Sequence, residues 1–235
     1  MAETKQKATV SHEQQHARHS KAEHFWSKYS KPLTIGFTVL VVAIAAYFIY
    51  DSMVAAPNAK KAEEAVFKAE EYFRMDSLDK ALNGDGVSQG LLRVISRYGG
   101  SEAGNRARLM AGSIYLKKGD FKNAIKHLEE FNTDVKQVEA KATALLADAY
   151  SEMGAAANNN VNKEKAAGLY EKAAATFEKD DLNAAEYLFR AGYLYESMGK
   201  NQQAIDAYKK IKEKYPRSER GFDIDKYLAR LGVVE

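Results

Sequence analysis

Four of the five histidines lie near the amino terminus, at His12, His16, His19 and His24. On a helix, the first three would share one face at the i, i+4, i+7 spacing that can hold a divalent metal ion. However, the surrounding tail is polar, fixes no fourth ligand beside them and has no apolar face to pack on a core. Solvated disorder fits this segment better than a metal site, and we expect no metal or other cofactor.

Catalytic residues are also not expected. The chain has no cysteine that could act as a nucleophile or metal ligand, and no phosphate-binding loop ending in Gly-Lys-Ser or Gly-Lys-Thr. Acidic pairs such as Glu63-Glu64 and Glu129-Glu130 are adjacent, which on a helix turns the two carboxylates about 100° apart. His127 is the one histidine outside the tail, and we expect it on the surface. The chain is therefore predicted not to be an enzyme and to have no small-molecule substrate.

The charges of the chain are unevenly distributed. Residues 1–32 carry six basic and three acidic side chains, and residues 33–50 carry none. The tail accounts for the whole formal charge of +3, so the remainder of the chain is neutral. A neutral domain offers no net field to hold nucleic acid through counterion release, and nucleic acid is not an expected partner.

Residues 33–50 form an uncharged apolar run. As a helix, eighteen residues span about 27 Å, close to the hydrocarbon thickness of a bilayer. Aromatic residues that could sit at the two membrane interfaces flank the run, at Phe25, Trp26, Tyr29, Tyr47, Phe48 and Tyr50. We predict a transmembrane helix that contacts the lipid bilayer; a buried core helix is the alternative.

The orientation of this helix follows from the basic residues beside it. Four basic residues lie within about fifteen positions before the run, namely Arg18, Lys21, Lys28 and Lys31. Within a comparable distance after it there are only two, Lys60 and Lys61. The positive-inside rule then predicts a cytoplasmic amino terminus and a periplasmic main domain, at the inner membrane of a bacterium. A cleaved signal peptide, with Val54-Ala55-Ala56 as the cleavage sequence, is the alternative. Its basic region would exceed thirty residues, which favours an uncleaved signal anchor.

An internal repeat is the strongest pattern after residue 60. The blocks AGSIYLKKGD from Ala111 and AGYLYESMGK from Ala191 match, and LADAY at 146–150 begins a third copy with an insertion from Ala155 to Asn162. Each block places a small residue where two helices would cross, then a tyrosine, then a glycine that ends the helix. The expected packing residues are Gly112, Tyr115, Gly119, Ala124, Ala147, Tyr150, Gly154, Gly192, Tyr195, Gly199, Ala204, Tyr208 and Pro216.

These blocks resemble the tetratricopeptide repeat family, in which a helix-turn-helix unit of about 34 residues recurs. The stripe Ile224, Tyr227, Leu228 and Leu231 predicts a capping helix at the end of the stack. The resemblance implies an all-α fold, with a transmembrane helix followed by an α-solenoid of helical hairpins. The predicted segments are a basic, disordered cytoplasmic tail (1–32), the signal anchor (33–50), a linker (51–59) and the repeat domain (60–235).

The order of basic tail, anchor and hairpins is also similar to single-pass bacterial membrane proteins related to the ancillary subunit of the Sec translocon. That resemblance implies a periplasmic chaperone or scaffold that binds protein partners or unfolded clients near the translocon. An envelope-assembly or cell-division scaffold that docks one stable partner is the alternative. In such repeats the first helix of each hairpin lines a groove, which here implies Leu109, Ser113, Leu116, Asp148, Phe189, Tyr193 and Glu196.

The inward positions lack the Lys and Asn that would clamp an acidic carboxyl-terminal tail. Phe189 and Tyr193 lie four residues apart and share a helix face. We expect them to anchor apolar segments of a partner at the carboxyl-terminal end of the groove, unless the capping helix covers both.

Overall fold

The computed structural model describes residue 26 and residues 28–233. Within these residues all regular elements are helices, and one isolated antiparallel bridge joins Gly84 to Gln89. The chain divides into two compact units at Pro57 and Asn58, close to residue 60, where the repeat domain is predicted to begin. The tail histidines His12, His16, His19 and His24, and Phe25, lie outside the described residues.

The first unit contains the predicted membrane span. Lys28–Arg74 is the one helical run in the described part of the chain that is long and apolar enough to cross a bilayer, with a mean hydropathy of 2.2 over its most apolar window. That window is not buried at all, as contact with lipid would require. The predicted linker 51–59 is helical, and a π-helical turn, Asp51–Ala55, interrupts the α-helix there.

Ten α-helices follow the π-helical turn in the described residues, and all of them except the first two residues of the first helix lie in the second unit. In chain order they are α1 (Ala56–Arg74), α2 (Leu78–Asn83), α3 (Leu91–Tyr98), α4 (Glu102–Lys117), α5 (Phe121–Glu129), α6 (Lys136–Ala156), α7 (Asn160–Thr176), α8 (Asp181–Ser197), α9 (Asn201–Lys214) and α10 (Glu219–Arg230). Five of them begin at a side chain that accepts a hydrogen bond from a backbone N–H of the first turn, at Ser101, Asp120, Asn159, Asp180 and Ser218. These caps fix where the helices start.

Three antiparallel hairpins make up most of this unit, formed by α4 with α5, α6 with α7, and α8 with α9. From α4 onward each helix packs on the next, and the first helices also pack across hairpins, α4 on α6 and α8 on α10. This pattern is typical of stacked hairpins, since no single hairpin can bury its own apolar face. Ile224 and Leu228 of α10 are buried against the stack. The predicted all-α solenoid with a capping helix is confirmed.

Small residues allow the two helices of a hairpin to cross closely. A Cβ atom on Gly192 would lie 2.4 Å from Cε1 of Tyr208, and one on Gly112 would lie 2.6 Å from Cγ of Leu128. Alanine fills the equivalent role in α6, where Ala147 is fully buried. At these positions the first helix presents almost no side chain. Side chains of the second helix therefore pack directly against its backbone and are buried there.

Consecutive hairpins are joined by a repeated polar contact. The hydroxyl of Tyr150 in α6 donates to Glu129 in α5 at 2.7 Å, and that of Tyr195 in α8 contacts Glu171 in α7 at 3.0 Å. Burial raises the pKa of Tyr150, and burial together with the Glu171 carboxylate raises that of Tyr195 to about 12. Both tyrosines therefore remain protonated donors at neutral pH, and each ties its hairpin to the preceding one.

Gly119 and Gly199 end α4 and α8 as predicted, with φ angles of 75° and 73° that disfavour residues with a side chain. Gly154, the third predicted stop, does not end α6, which continues to Ala156. The left-handed residue of that turn is instead Asn158, with φ at 47°. Asparagine tolerates this conformation, so the helix has no need of a glycine at its end.

The insertion in the second hairpin is helical. Relative to the other two hairpins it adds about one turn to the end of α6 and about one turn to the start of α7, and only residues 157–159 lie between the two helices. Gly154 is buried, and a Cβ atom on it would lie 3.0 Å from both the backbone nitrogen and Cγ of Lys163. Glycine is needed at this position because α7 lies against it.

His127 lies in the core, contrary to the expectation that it is exposed. Its ring is 7 % exposed and stacks on Tyr115 with centroids 5.6 Å apart. Nδ1 has no hydrogen-bond partner in the described residues. Burial, reinforced by Lys126 and Arg108 and opposed by Glu130, lowers the pKa of His127. His127 lies three residues after the buried Ala124 on the same short helix, so its ring faces the core. The polar residues beside it in the sequence had suggested an exposed position.

We predict that Gly192→Ala lowers the free energy of unfolding by about 1–3 kcal/mol, because the added methyl group overpacks the crossing with Tyr208. Gly168→Ala is the matched control, since Gly168 is helical and no atom lies within 4 Å of its Cβ position. There the change should stabilise the helix by about 0.5–1 kcal/mol. Urea unfolding of the detergent-solubilised chain, followed by circular dichroism, measures both. Equal effects of the two changes would contradict the crossing.

We also predict a pH dependence that belongs to His127. Because its folded pKa is lower than the unfolded value of about 6.5, the unfolded chain takes up the proton first, and stability falls as pH drops below about 6.5. His127→Phe keeps a ring against Tyr115 and removes the titration. The fall in melting temperature between pH 7.5 and pH 5 should therefore be smaller in the variant. Identical falls in both proteins would show that this histidine does not contribute.

Candidate partner-binding site

A cavity of about 380 Å³ opens between α6, α7 and α8. It brings together side chains of two consecutive hairpins, namely Ser151, Ala155, Lys163, Tyr170, Phe189, Arg190, Tyr193, Leu194 and Ser197. Its volume lies within the range of about 300–1,000 Å³ that is usual for ligand sites. Phe189 and Tyr193, predicted as the aromatic anchor of a groove, both line it.

The two aromatic residues differ in how they are held. Phe189 is half-buried, with its ring 4.8 Å from that of Tyr227 in an edge-on contact and 6.0 Å from that of Tyr208. The guanidinium of Arg220 lies 4.0 Å from the Phe189 ring centroid, a cation–π distance. Tyr193 is 58 % exposed and has no such cover. The capping helix therefore fixes Phe189 in place and leaves Tyr193 open to a partner.

A chain of alternating charges runs beside the cavity along the first helices. Arg190 contacts Asp148 of α6 at 2.8 Å and Glu186 of its own helix at 2.7 Å, and Arg220 of α10 contacts Glu186 at 2.6 Å. Burial alone would raise the pKa of Glu186, but hydrogen bonds from Arg220 and Arg190 hold that pKa below its usual value. Tyr170 also donates to Asp148. Both carboxylates are thus fully engaged by partners within the protein.

Lys163 is a cavity residue that sequence reasoning missed, because it lies on a second helix, directly after the insertion. No carboxylate belongs to the cavity lining, and Lys163 has no carboxylate partner among the residues described. Its aliphatic stem lies on Gly154, where a side chain would collide with Cγ. No pattern in the sequence places Lys163 beside Gly154, since the two residues lie on different helices.

A family model of the tetratricopeptide repeat-like domain matches residues 23–225. The chain belongs to this family. The search of curated proteins gave no significant match. Stacked repeats of this kind form extended surfaces that bind other proteins, so the chain carries a protein interaction module.

The other predicted groove residues of this repeat domain lie outside the cavity. Glu196 accepts hydrogen bonds from Arg230 at 2.7 Å and Tyr208 at 3.1 Å, so it is committed to the capping helix. The hydroxyl of Ser113 donates to the backbone oxygen of Leu109 at 2.9 Å. Leu116 packs against the apolar core that helices α5 to α10 form. The structure therefore brings together Phe189 and Tyr193 of α8, with Asp148 beside them, and leaves Glu196 and the predicted residues of α4 apart.

Two short patterns of catalytic sites do occur in the sequence. Residues 86–90 spell Gly-x-Ser-x-Gly, but Ser88 follows a turn held by Asp85, which accepts from the backbone nitrogens of Val87 and Ser88. In the residues described, no strand leads into this turn and the one histidine, His127, is buried elsewhere. In hydrolases this pattern places the serine on a strained turn between a strand and a helix, next to a histidine base. The described residues around Ser88 provide neither.

The second pattern is His-Glu-x-x-His at residues 12–16, which zinc proteases place on a helix of a folded active site. It lies outside the described residues. Among the described residues, no group of histidines and carboxylates could hold a metal ion. The apolar run 33–50 separates this pattern from the repeat domain in the sequence. The absence of enzyme activity stays a prediction.

We predict that substitutions of the two aromatic residues of the cavity differ in their effect on the free energy of unfolding. Phe189→Ala removes a ring packed on Tyr208 and Tyr227, and should lower the free energy of unfolding by about 2 kcal/mol or more. Tyr193→Ser removes an exposed ring, and should change it by less than about 0.5 kcal/mol. Urea unfolding of both variants measures this. Similar losses from both changes would show that Tyr193 is covered.

Proposed function

We propose that this chain is a membrane-anchored protein interaction module whose repeat domain binds polypeptide partners at the cavity between α6, α7 and α8. The observation that carries the proposal is the open, aromatic cavity between two hairpins of a tetratricopeptide repeat-like domain, with Tyr193 exposed to solvent. Exposed aromatic residues in such positions are typical anchors of protein interfaces.

The anchor is the uncharged run 33–50, with the amino terminus in the cytoplasm and the repeat domain in the periplasm of a bacterium. Support comes from the length, apolarity and complete exposure of this helix and from the excess of basic residues before it. A domain tethered by one helix stays close to the membrane surface. It would meet partners that are themselves in, or emerging through, that membrane.

The partners we propose are unfolded clients or newly exported chains near the translocon, which the module holds as a chaperone or scaffold. Support comes from the apolar lining of the cavity, because unfolded segments expose apolar side chains, and from the resemblance to the Sec-associated proteins. A scaffold with one stable partner in envelope assembly or cell division would use the same cavity. The two roles differ in how many partners contact it.

Photo-crosslinking in intact cells tests this proposal. A benzophenone amino acid replaces Tyr193 in one variant and, as the control, Glu213 of α9, which is exposed on a second helix. We expect adducts from position 193 and few from position 213. Many exported proteins among the adducts indicate a chaperone, and a single adduct indicates a scaffold.

Two outcomes of the same experiment would contradict the proposal. Equal adducts from both positions would show that the cavity is not a binding site. Adducts with cytosolic proteins alone would show that the predicted orientation is wrong. The mass of the chain that carries no crosslink also reports whether the amino-terminal segment is retained, which distinguishes the signal anchor from a cleaved signal peptide.

A further inference from the structure

We propose that the cavity selects polypeptide segments that carry a large apolar side chain next to a carboxylate, and that Lys163 supplies the cation that recognises this carboxylate. The inference rests on the proposed function, since it names the chemistry of the partner at the same cavity. Three observations carry it: the placement of Lys163, the charge balance of the site and the origin of the cavity wall.

The placement of Lys163 is fixed by packing. Its Cγ atom and its backbone nitrogen each lie 3.0 Å from the position that a Cβ on Gly154 would occupy. Contact between a lysine stem and a helix backbone removes rotamers that a fully solvated lysine would sample, so less entropy is lost when the ammonium binds a partner. The side chain also lines the cavity together with Tyr193.

The charge balance of the site leaves one positive charge without a counterpart. Arg190 and Arg220 are matched by Asp148 and Glu186 through contacts of 2.6–2.8 Å. Lys163 has no such carboxylate in the described part of the chain, and none lines the cavity. An ammonium beside an apolar wall attracts a carboxylate more strongly than it would in water, because the wall lowers the local dielectric. A basic segment would be repelled.

The cavity wall near this charge is specific to the second hairpin. Ala155 lies in the extra turn that the insertion adds to α6, and Lys163 directly follows the extra turn that it adds to α7. In the first and third hairpins, Gly119 and Gly199 end the first helix before such a turn can form. The insertion thus supplies a wall and places the cation beside it, and α8 supplies Tyr193 and Phe189.

Fluorescence anisotropy with the full chain in detergent micelles tests the inference. The probe is a fluorescein-labelled twelve-residue peptide of Ser and Gly with a central Leu-Phe-Glu, and its matched partner has Leu-Phe-Gln. We expect the Glu peptide to bind about tenfold more tightly, as one charge-assisted contact would give. A third peptide with Leu-Ala-Glu should lose most of the binding, because its aromatic side chain is missing.

Variants of the chain assign the preference to Lys163. Lys163→Gln should make the Glu and Gln peptides bind equally, and Lys163→Arg should keep the preference because it keeps the charge. Lys179→Gln is the matched control, since Lys179 is exposed and lies outside the cavity. Circular dichroism and melting temperature of each variant show that the fold is intact.

The proposal is overturned if the unmodified chain binds both peptides equally, if it binds neither at millimolar concentration, or if Lys163→Gln keeps the preference. These failures can be told apart from failure of the proposed function. If adducts from position 193 persist in cells while the peptides show no charge preference, the cavity binds partners by apolar contacts alone. If those adducts are absent as well, the interaction site lies elsewhere.

Discussion

The repeat domain depends on close contact between the two helices of each hairpin. At Gly112, Ala147 and Gly192 the first helix presents almost no side chain, so the second helix lies against its backbone. Dispersion contacts of this kind are weak singly and large in number, and they fall off steeply when the helices separate. The tyrosine contacts between hairpins depend on this close packing within each hairpin. The outward placement of the cavity residues depends on it as well.

The fold could be predicted because the same packing pattern occurs in several copies of the repeat. Three copies of the Gly or Ala, Tyr and Gly pattern fix the helix faces, and each copy supports the others. The single features were less predictable. His127 is inward although its neighbours are polar, and Gly154 serves a helix contact although its two counterparts are helix stops. A residue type with two structural uses can be assigned only when its neighbours in space are known.

The candidate site was predictable in part for the same reason. Phe189 and Tyr193 followed from the face that the repeat assigns to first helices, and both line the cavity. Their different exposure did not follow, because it depends on Tyr227 and Arg220 of α10, more than thirty residues away. Lys163 did not follow either, since the extra turns on the two sides of residues 157–159 have no counterpart in the other copies, and these turns place it against Gly154.

The helical insertion implies a rule about how such a hairpin can change length during evolution. A helix returns to the same side of its axis only after about 3.6 residues. The short turn at residues 157–159 can join α6 to α7 only if each helix is lengthened by close to a whole turn. Insertions at this turn should therefore persist in steps of about seven residues, shared between the two helices. New surface is then acquired in discrete increments, and the crossing beneath it is left unchanged.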